Sequence, residues 1–219
     1  MDIGNQYTNC KYPFIAIEGN IGSGKTSLAH QLTADLNARI LLEEFEDNSF
    51  LPKFYEDQRR FAFPLEMSFL AARFNQLKVQ LNSLELFNNQ MVSDYIFAKC
   101  LLFSKVNLDE DEYELYVKLF SIIQLQLRKP DLLIYLHNPI EKLLWQIKNR
   151  GRTYEQSIDA AYLERLQQAY FEYMNQQQDM RILILDCSAI DFVKNKSDYL
   201  KIKSLCFENF SVGTHKITL

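Results

Sequence analysis

The residues Gly19-Asn20-Ile21-Gly22-Ser23-Gly24-Lys25-Thr26 place three glycines ahead of a lysine and a hydroxyl side chain. The spacing is G-x-x-x-x-G-K-[ST], with an apolar run before it and a helical pattern after it. Glycine is required because backbone N–H groups must crowd around a phosphate at angles that a Cβ would block, and the helix that starts near Lys25 adds the positive end of its dipole. In such a loop the lysine contacts the β- and γ-phosphates and the threonine hydroxyl ligates Mg²⁺. The stretch Gly19 to Ser27 is therefore expected to hold a nucleoside triphosphate, ATP or GTP. The apolar strand ending in Asp-Glu that a mechanical NTPase carries is absent. A small-molecule phosphotransferase fits best.

Two further groups could do chemistry with that phosphate. Glu43 and Glu44 follow a short apolar run, where a carboxylate can take the proton from an attacking hydroxyl. Arg150 and Arg152 flank Gly151 at the end of a helical pattern, where guanidinium forks can close over a transferring phosphoryl group. The simpler readings are a solvated acidic loop and a cation complementing a helix C-terminus.

These residues need a scaffold. The apolar runs 13–18, 89–93, 131–137 and 181–186, and a weaker one at 38–44, read as buried parallel strands. Between them, 25–37, 59–87, 110–127, 139–149 and 156–177 carry apolar residues at helical spacing. Alternating strands and helices predict an α/β fold with a five-stranded parallel sheet covered on both faces. Neither a repeat nor a linker-like tract interrupts 1–219, so a single domain is expected.

The bulk properties narrow the partners. The chain of 219 residues is 47% hydrophobic, with a net charge of −4 and no clustered basic run, so a nucleic-acid polymer or a membrane surface is not expected as a partner. Cys10, Cys100, Cys187 and Cys206 are widely separated, and the three histidines make no metal-ligand spacing, which predicts reduced thiols and no zinc. The amino-terminal run 1–13 has no signal-peptide pattern and no apolar stretch approaches membrane-spanning length, so a cytoplasmic address is expected.

From Phe14 to Asp186 the chain resembles the deoxynucleoside kinases, especially the bacterial deoxyadenosine/deoxyguanosine kinase branch. The resemblance rests on "IEGNIGSGKTSL", "EEFEDNSFLPKFYED", "FAFPLEMSFLAARF" and "NRGRTYEQ", four motifs in order. It implies a P-loop kinase three-layer fold with a lid segment, ATP and Mg²⁺ as cofactors, and transfer of phosphate to the 5′-hydroxyl of a deoxynucleoside. It also implies a homodimer, paired through helices such as 59–87 and 156–177. Residue by residue, it makes Glu43 the general base, ahead of Glu46-Asp47-Asn48. Lys25, Arg150 and Arg152 become the groups that stabilise phosphoryl charge. Tyr55 and Glu155 become the pair on the sugar 3′-hydroxyl.

The sequence departs from that family in specific places. Glu66 stands where the base helix presents a glutamine, and Ser93-Asp94-Tyr95 replaces an acidic-Arg-Ser triplet. Lys99 stands at an aspartate position and Gln146 at a lid arginine. Asp94 is expected to hold Mg²⁺ with Thr26, or else to cap a helix over 95–104. An ionised Glu66 would accept from the two adjacent donors of guanine, with Lys99 or Arg73 donating to its O6 or N7, which favours deoxyguanosine. A buried Glu66–Lys99 ion pair is the alternative. Two other functions stay open. One is a thymidylate-type nucleoside monophosphate kinase, for which Arg59, Arg60 and Arg73 are the acceptor-site candidates. The other is a regulatory nucleotide-binding module without catalysis.

Overall fold

The computed structural model describes residues 10–44, 48–87 and 90–219. The amino-terminal nine residues and the positions of Glu46 and Asp47 lie outside them. Six parallel strands form one sheet: β1 Phe14–Gly19, β2 Arg39–Leu41, β3 Met91–Ser93, β4 Leu132–His137, β5 Arg181–Asp186 and β6 Gly213–Thr218. Their order is β2-β3-β1-β4-β5-β6. The sheet has six strands, one more than the sequence predicts. The additional edge strand, GTHKIT, alternates between exposed and half-buried positions and so lacks the continuous apolar run that marks the inner strands.

Among the described residues the helices are α1 Lys25–Leu36, α2 Leu51–Glu56, α3 Gln58–Phe87, α4 Lys99–Asn107, α5 Glu110–Gln124, α6 Ile140–Arg150, α7 Ala160–Gln176 and α8 Lys196–Leu205. A 3₁₀ turn covers Thr153–Ser157. Strands β1, β4 and β5 are apolar along their length because both sheet faces are covered. On one face Phe14, Met91, Tyr135 and Ile184 pack with Leu70, Leu77, Tyr116 and Tyr170, which come from α3, α5 and α7. On the other, Ile15, Ile17, Ile134 and Leu183 pack with Leu28, Leu32 and Ile202 from α1 and α8. The result is three layers, helix on sheet on helix.

Two features position the site. β1 lies between β3 and β4, where the direction of strand succession reverses, so the loop after β1 opens into the crevice at the carboxyl edge of the sheet. α3 runs for 30 residues with Pro64 inside it, which removes one backbone donor from its second turn without ending the helix. α3 carries Glu66 and Arg73, both buried side chains of the cavity.

Candidate active site

The glycine loop connects β1 to α1. Gly24 caps α1 at φ 89°, and a Cβ there would stand 2.8 Å from Phe192 Cζ. Gly22, at φ 82°, passes 2.9 Å from Ile147 and 3.1 Å from the Leu143 carbonyl, measured from the Cβ it lacks. Both positions therefore demand glycine on conformational grounds and on space. Asn20 is turned inward: its Nδ2 donates to the Leu163 carbonyl at 2.7 Å and its Oδ1 accepts from the Ile21 N–H at 2.8 Å. Its side chain braces the loop on α7, which leaves only its backbone to face a phosphate. The Ser23 hydroxyl is buried without a partner among the described residues, and Ser27 lies half-buried on the first turn of α1.

Lys25 Nζ donates to the carbonyls of Gly19 and Asn20, each at 2.9 Å. Loss of hydration, with the nearby Lys99 charge, pushes its amine down to about 8. Such a cation gains from an arriving phosphate. Thr26 Oγ1 donates to Asp94 Oδ2 at 2.6 Å, and Asp94 Oδ1 accepts from the Glu43 N–H at 2.8 Å. One carboxylate at the end of β3 thus ties the phosphate loop to the segment after β2. Helix α4 begins at Lys99, so Asp94 does not cap it and the helix expected over 95–104 starts later. A hydroxyl beside a carboxylate is an oxygen donor set that suits Mg²⁺. Among the described residues no cluster of three or more His, Cys, Asp or Glu forms a metal cage, so the remaining ligands would be phosphate oxygens and water, as Mg²⁺ prefers.

Glu43 is held from two sides. Its Oε1 accepts from Arg73 Nε at 2.8 Å and Nη2 at 2.5 Å, and its Oε2 pairs with Lys99. Burial alone would raise its pKa, but Lys99 and Arg73 together draw the carboxyl down to about 2. The two cations expected at the base edge are therefore turned onto Glu43, and the Glu66–Lys99 ion pair does not form. Lys99, on the first turn of α4, supplies positive charge close to Lys25, in a region where Tyr95 cannot. The Tyr95 hydroxyl is committed to Gln76 Oε1 at 2.5 Å and the residue is fully buried.

Glu155 lies in the 3₁₀ turn beyond α6. Gly151, at φ 73°, ends that helix and lets the chain reverse. Arg150 pairs with Glu155 Oε2, and Arg152 Nη1 lies 3.3 Å from Glu155 Oε1. Tyr55, from α2, stacks on Tyr154 with ring centroids 5.9 Å apart, and burial beside the Glu155 carboxylate raises its phenol well above the usual range. One cavity is lined by Lys25, Thr26, Glu43, Tyr55, Glu66, Arg73, Asp94, Lys99, Arg150, Arg152 and Glu155. It thus brings together the candidates for base, sugar, metal and phosphoryl contacts, but not Glu44, Arg59, Arg60 or Gln146. It also contains Phe69, Phe103, Asn107 and Tyr162, which sequence reasoning missed. The first two look like ordinary core aromatics in a one-dimensional pattern, and nothing in the sequence distinguishes Asn107 from a helix-terminal amide.

Residues 15–210 match the deoxynucleoside kinase family. The chain is 36% identical to the deoxyguanosine kinase of Bacillus subtilis (strain 168) over 194 residues, which span 87% of this chain and 94% of that protein. It is 38% identical to the deoxyadenosine kinase of Dictyostelium discoideum over 162 residues, 73% of this chain and 66% of that one. The deoxyadenosine kinase of M. mycoides with bound dATP superposes with a TM-score of 0.75 at 26% identity, covering 87% of this chain and 97% of the other. A phosphate loop at the switch point, a carboxylate held between two cations, and this match over most of the sequence agree with one another: the chain belongs to the deoxynucleoside kinase family.

Proposed function

We propose that the protein transfers the γ-phosphoryl group of ATP to the 5′-hydroxyl of a purine deoxynucleoside, with deoxyguanosine preferred. The observation that carries this reading is the placement of Glu43 beside the Thr26–Asp94 pair and Lys25, in one cavity with Tyr55, Glu66 and Glu155. The nucleoside base lies toward Glu66, its 3′-hydroxyl meets Tyr55 and Glu155, and its 5′-hydroxyl reaches Glu43. The ionised Glu43 orients that hydroxyl and accepts its proton as the bond to phosphorus forms. Its low proton affinity suits a loose transition state, in which proton transfer comes late and positioning contributes most. Lys25, Lys99, Arg150 and Arg152 surround the phosphoryl group and offset the charge that spreads over its oxygens. Thr26 and Asp94 would hold Mg²⁺, which supplies charge neutralisation between the β- and γ-phosphates.

The names of relatives support the substrate class: a deoxyguanosine kinase at 36% identity and a deoxyadenosine kinase at 38%. The monophosphate-kinase reading loses ground because Arg59 and Arg60 are exposed and Arg73 is committed to Glu43 and to Cys100 Sγ at 3.2 Å, which leaves no acceptor-side arginine for a substrate phosphate. The regulatory reading is disfavoured by an intact base and lysine.

A homodimer through α3 and α5 fits the exposed apolar surface. Leu115 and Ile122 recur on one side of α5 at 49 and 66% exposure, Leu125 follows just beyond its end at 84%, and Val79 of α3 is at 66%. α7, the other helix expected to pair, buries Leu163, Leu166, Ala169, Tyr170 and Met174 within the protein. The four cysteines are free, which fits a reducing, cytoplasmic compartment, and no helix among the described residues is long and apolar enough to cross a membrane. The experiment that tests the reading incubates the purified protein with Mg-ATP and a panel of nucleosides and nucleoside monophosphates. Turnover of deoxyguanosine above the other nucleosides, and none of the monophosphates, is expected. Phosphorylation of thymidylate alone would overturn it.

A further inference from the structure

Glu66 lies inside the cavity on α3 with 1% of its surface exposed. Its Oε1 accepts one hydrogen bond, from Asn107 Nδ2 at the end of α4, at 2.7 Å. Its Oε2 is buried and has no partner among the described residues. Both side chains line the cavity, and Tyr162 of α7 stands against Asn107. The carboxyl is thus served by one neutral amide, since the nearby cations are engaged elsewhere. Arg73 gives Nε and Nη2 to Glu43 and Nη1 to Cys100, and Lys99 pairs with Glu43. A carboxyl so placed has two identities. Ionised, its free oxygen only accepts; protonated, it can donate.

We propose that Asn107 is a specificity-determining residue: by occupying Oε1 it leaves Oε2 as the single atom that meets the base edge, and by donating it holds that atom in the accepting form that suits guanine. The proposal rests on the reading that Glu66 faces the base. Guanine offers N1–H and a 2-amino group side by side, both donors. Adenine offers an acceptor at N1, which an ionised Oε2 repels and a protonated one satisfies. The choice between purines then follows the protonation of one carboxyl, and Asn107 biases that protonation because its hydrogen bond stabilises the charge.

Among the groups facing it, Glu66 is the one that changes state near neutrality. Lys25, pushed down to about 8, is engaged with the Gly19 and Asn20 carbonyls of the phosphate loop and bears on both nucleosides alike, so it cancels in their ratio. Burial pushes its carboxyl up to about 7, against the lowering influence of Arg73 and the Asn107 bond. Glu43, after β2, is drawn down to about 2 by Lys99 and Arg73 and stays ionised. The phenols facing Glu66, Tyr55 of α2, Tyr116 of α5 and Tyr162 of α7, are all raised by burial and stay neutral, as does the Cys100 thiol of α4.

The test measures kcat/KM for deoxyguanosine and deoxyadenosine between pH 6 and 8 in the wild type, Asn107→Leu, Asn107→Ser, Glu66→Gln and Glu66→Gln/Asn107→Leu. The wild-type ratio of deoxyguanosine to deoxyadenosine should rise with pH. Asn107→Leu should move that rise to higher pH and lower the ratio at pH 7.5 by roughly tenfold, the scale for one unpaired polar group, mainly through KM. Asn107→Ser, which keeps a donor, should recover part of the ratio. Glu66→Gln should flatten the pH dependence, and adding Asn107→Leu to it should not restore any. An Asn107→Leu protein with the wild-type ratio and midpoint overturns the proposal. If Asn107→Leu does not fold, a wild-type ratio that is flat from pH 6 to 8 overturns it instead. A Glu66→Gln variant with unchanged base preference would instead sink the placement of the base, which separates the two failures.

Discussion

Glu43, the proposed base, is one carboxylate held by two cations that give it a low proton affinity. Glu43→Gln is expected to lower kcat by roughly a hundredfold or more while nucleoside KM changes little, because the amide keeps the shape and loses the ability to take a proton. Steady-state kinetics with saturating ATP check this, and an unchanged kcat would move the role to Glu44 or Asp94. The same ion pairs set a stability dependence. The Glu43 carboxyl binds its proton less tightly in the folded protein than in the unfolded chain, so its stabilisation is complete above about pH 4.5 and is lost as pH falls through about 2. Urea unfolding across that window should show a steeper loss for the wild type than for Glu43→Gln. Lys25 gives a third expectation, of opposite sign. Its amine sits near 8 before phosphate arrives, and a triphosphate raises it, so ATP binding above pH 8 should take up a proton and weaken as pH rises. Calorimetry in buffers of different ionisation heat measures that uptake.

The proposed lid is an element-scale device: α6, the left-handed Gly151 and the 3₁₀ turn deliver two arginines to one carboxylate. Arg150 and Arg152 are expected to exchange Glu155 for the transferring phosphoryl group, so alanine at either should lower kcat more than it raises nucleoside KM. Equal losses in both would place them on ground-state phosphates. The glycine loop, the helix-end placement of Arg150 and Arg152, and the strands β1, β4 and β5 were legible in the sequence because each has a local signature: glycine spacing, a helix-end cation pair, an apolar run. β2 and β3 were legible in place, within 38–44 and 89–93, but not in extent: they span only three residues each, and the apolar runs around them extend into loops. Other features were not legible. β6 carries no apolar run, and the start of α4 follows from where Asp94 is used, on Thr26 and Glu43, rather than from any local capping signal. The roles of Lys99 and Arg73 were misjudged for a related reason. Which carboxylate a long cation reaches, 30 or 56 residues away, depends on packing and leaves no trace in local pattern.

At the scale of the whole molecule, the exposed stripe on α5 bears on assembly. Ile122→Asp should leave the fold and the cavity intact and convert a dimer into a monomer by sedimentation; a wild type that sediments as a monomer would instead sink the dimer reading. Far from that stripe, α7 supplies the core contacts described above and three inward polar ones. Tyr170 donates to Glu18 at 2.8 Å, the Leu163 carbonyl clasps Asn20 of the phosphate loop at 2.7 Å, and Tyr162, the adjacent residue, stands against Asn107. On the proposed placement of the substrates, neighbouring positions on one helix adjoin the phosphate loop and the wall that meets the base. Coupling between the two substrates through α7 is therefore expected, with binding of either favouring the other. The apparent KM for ATP should fall as nucleoside rises, by a factor that the reverse titration reproduces for the nucleoside when both are read as binding constants.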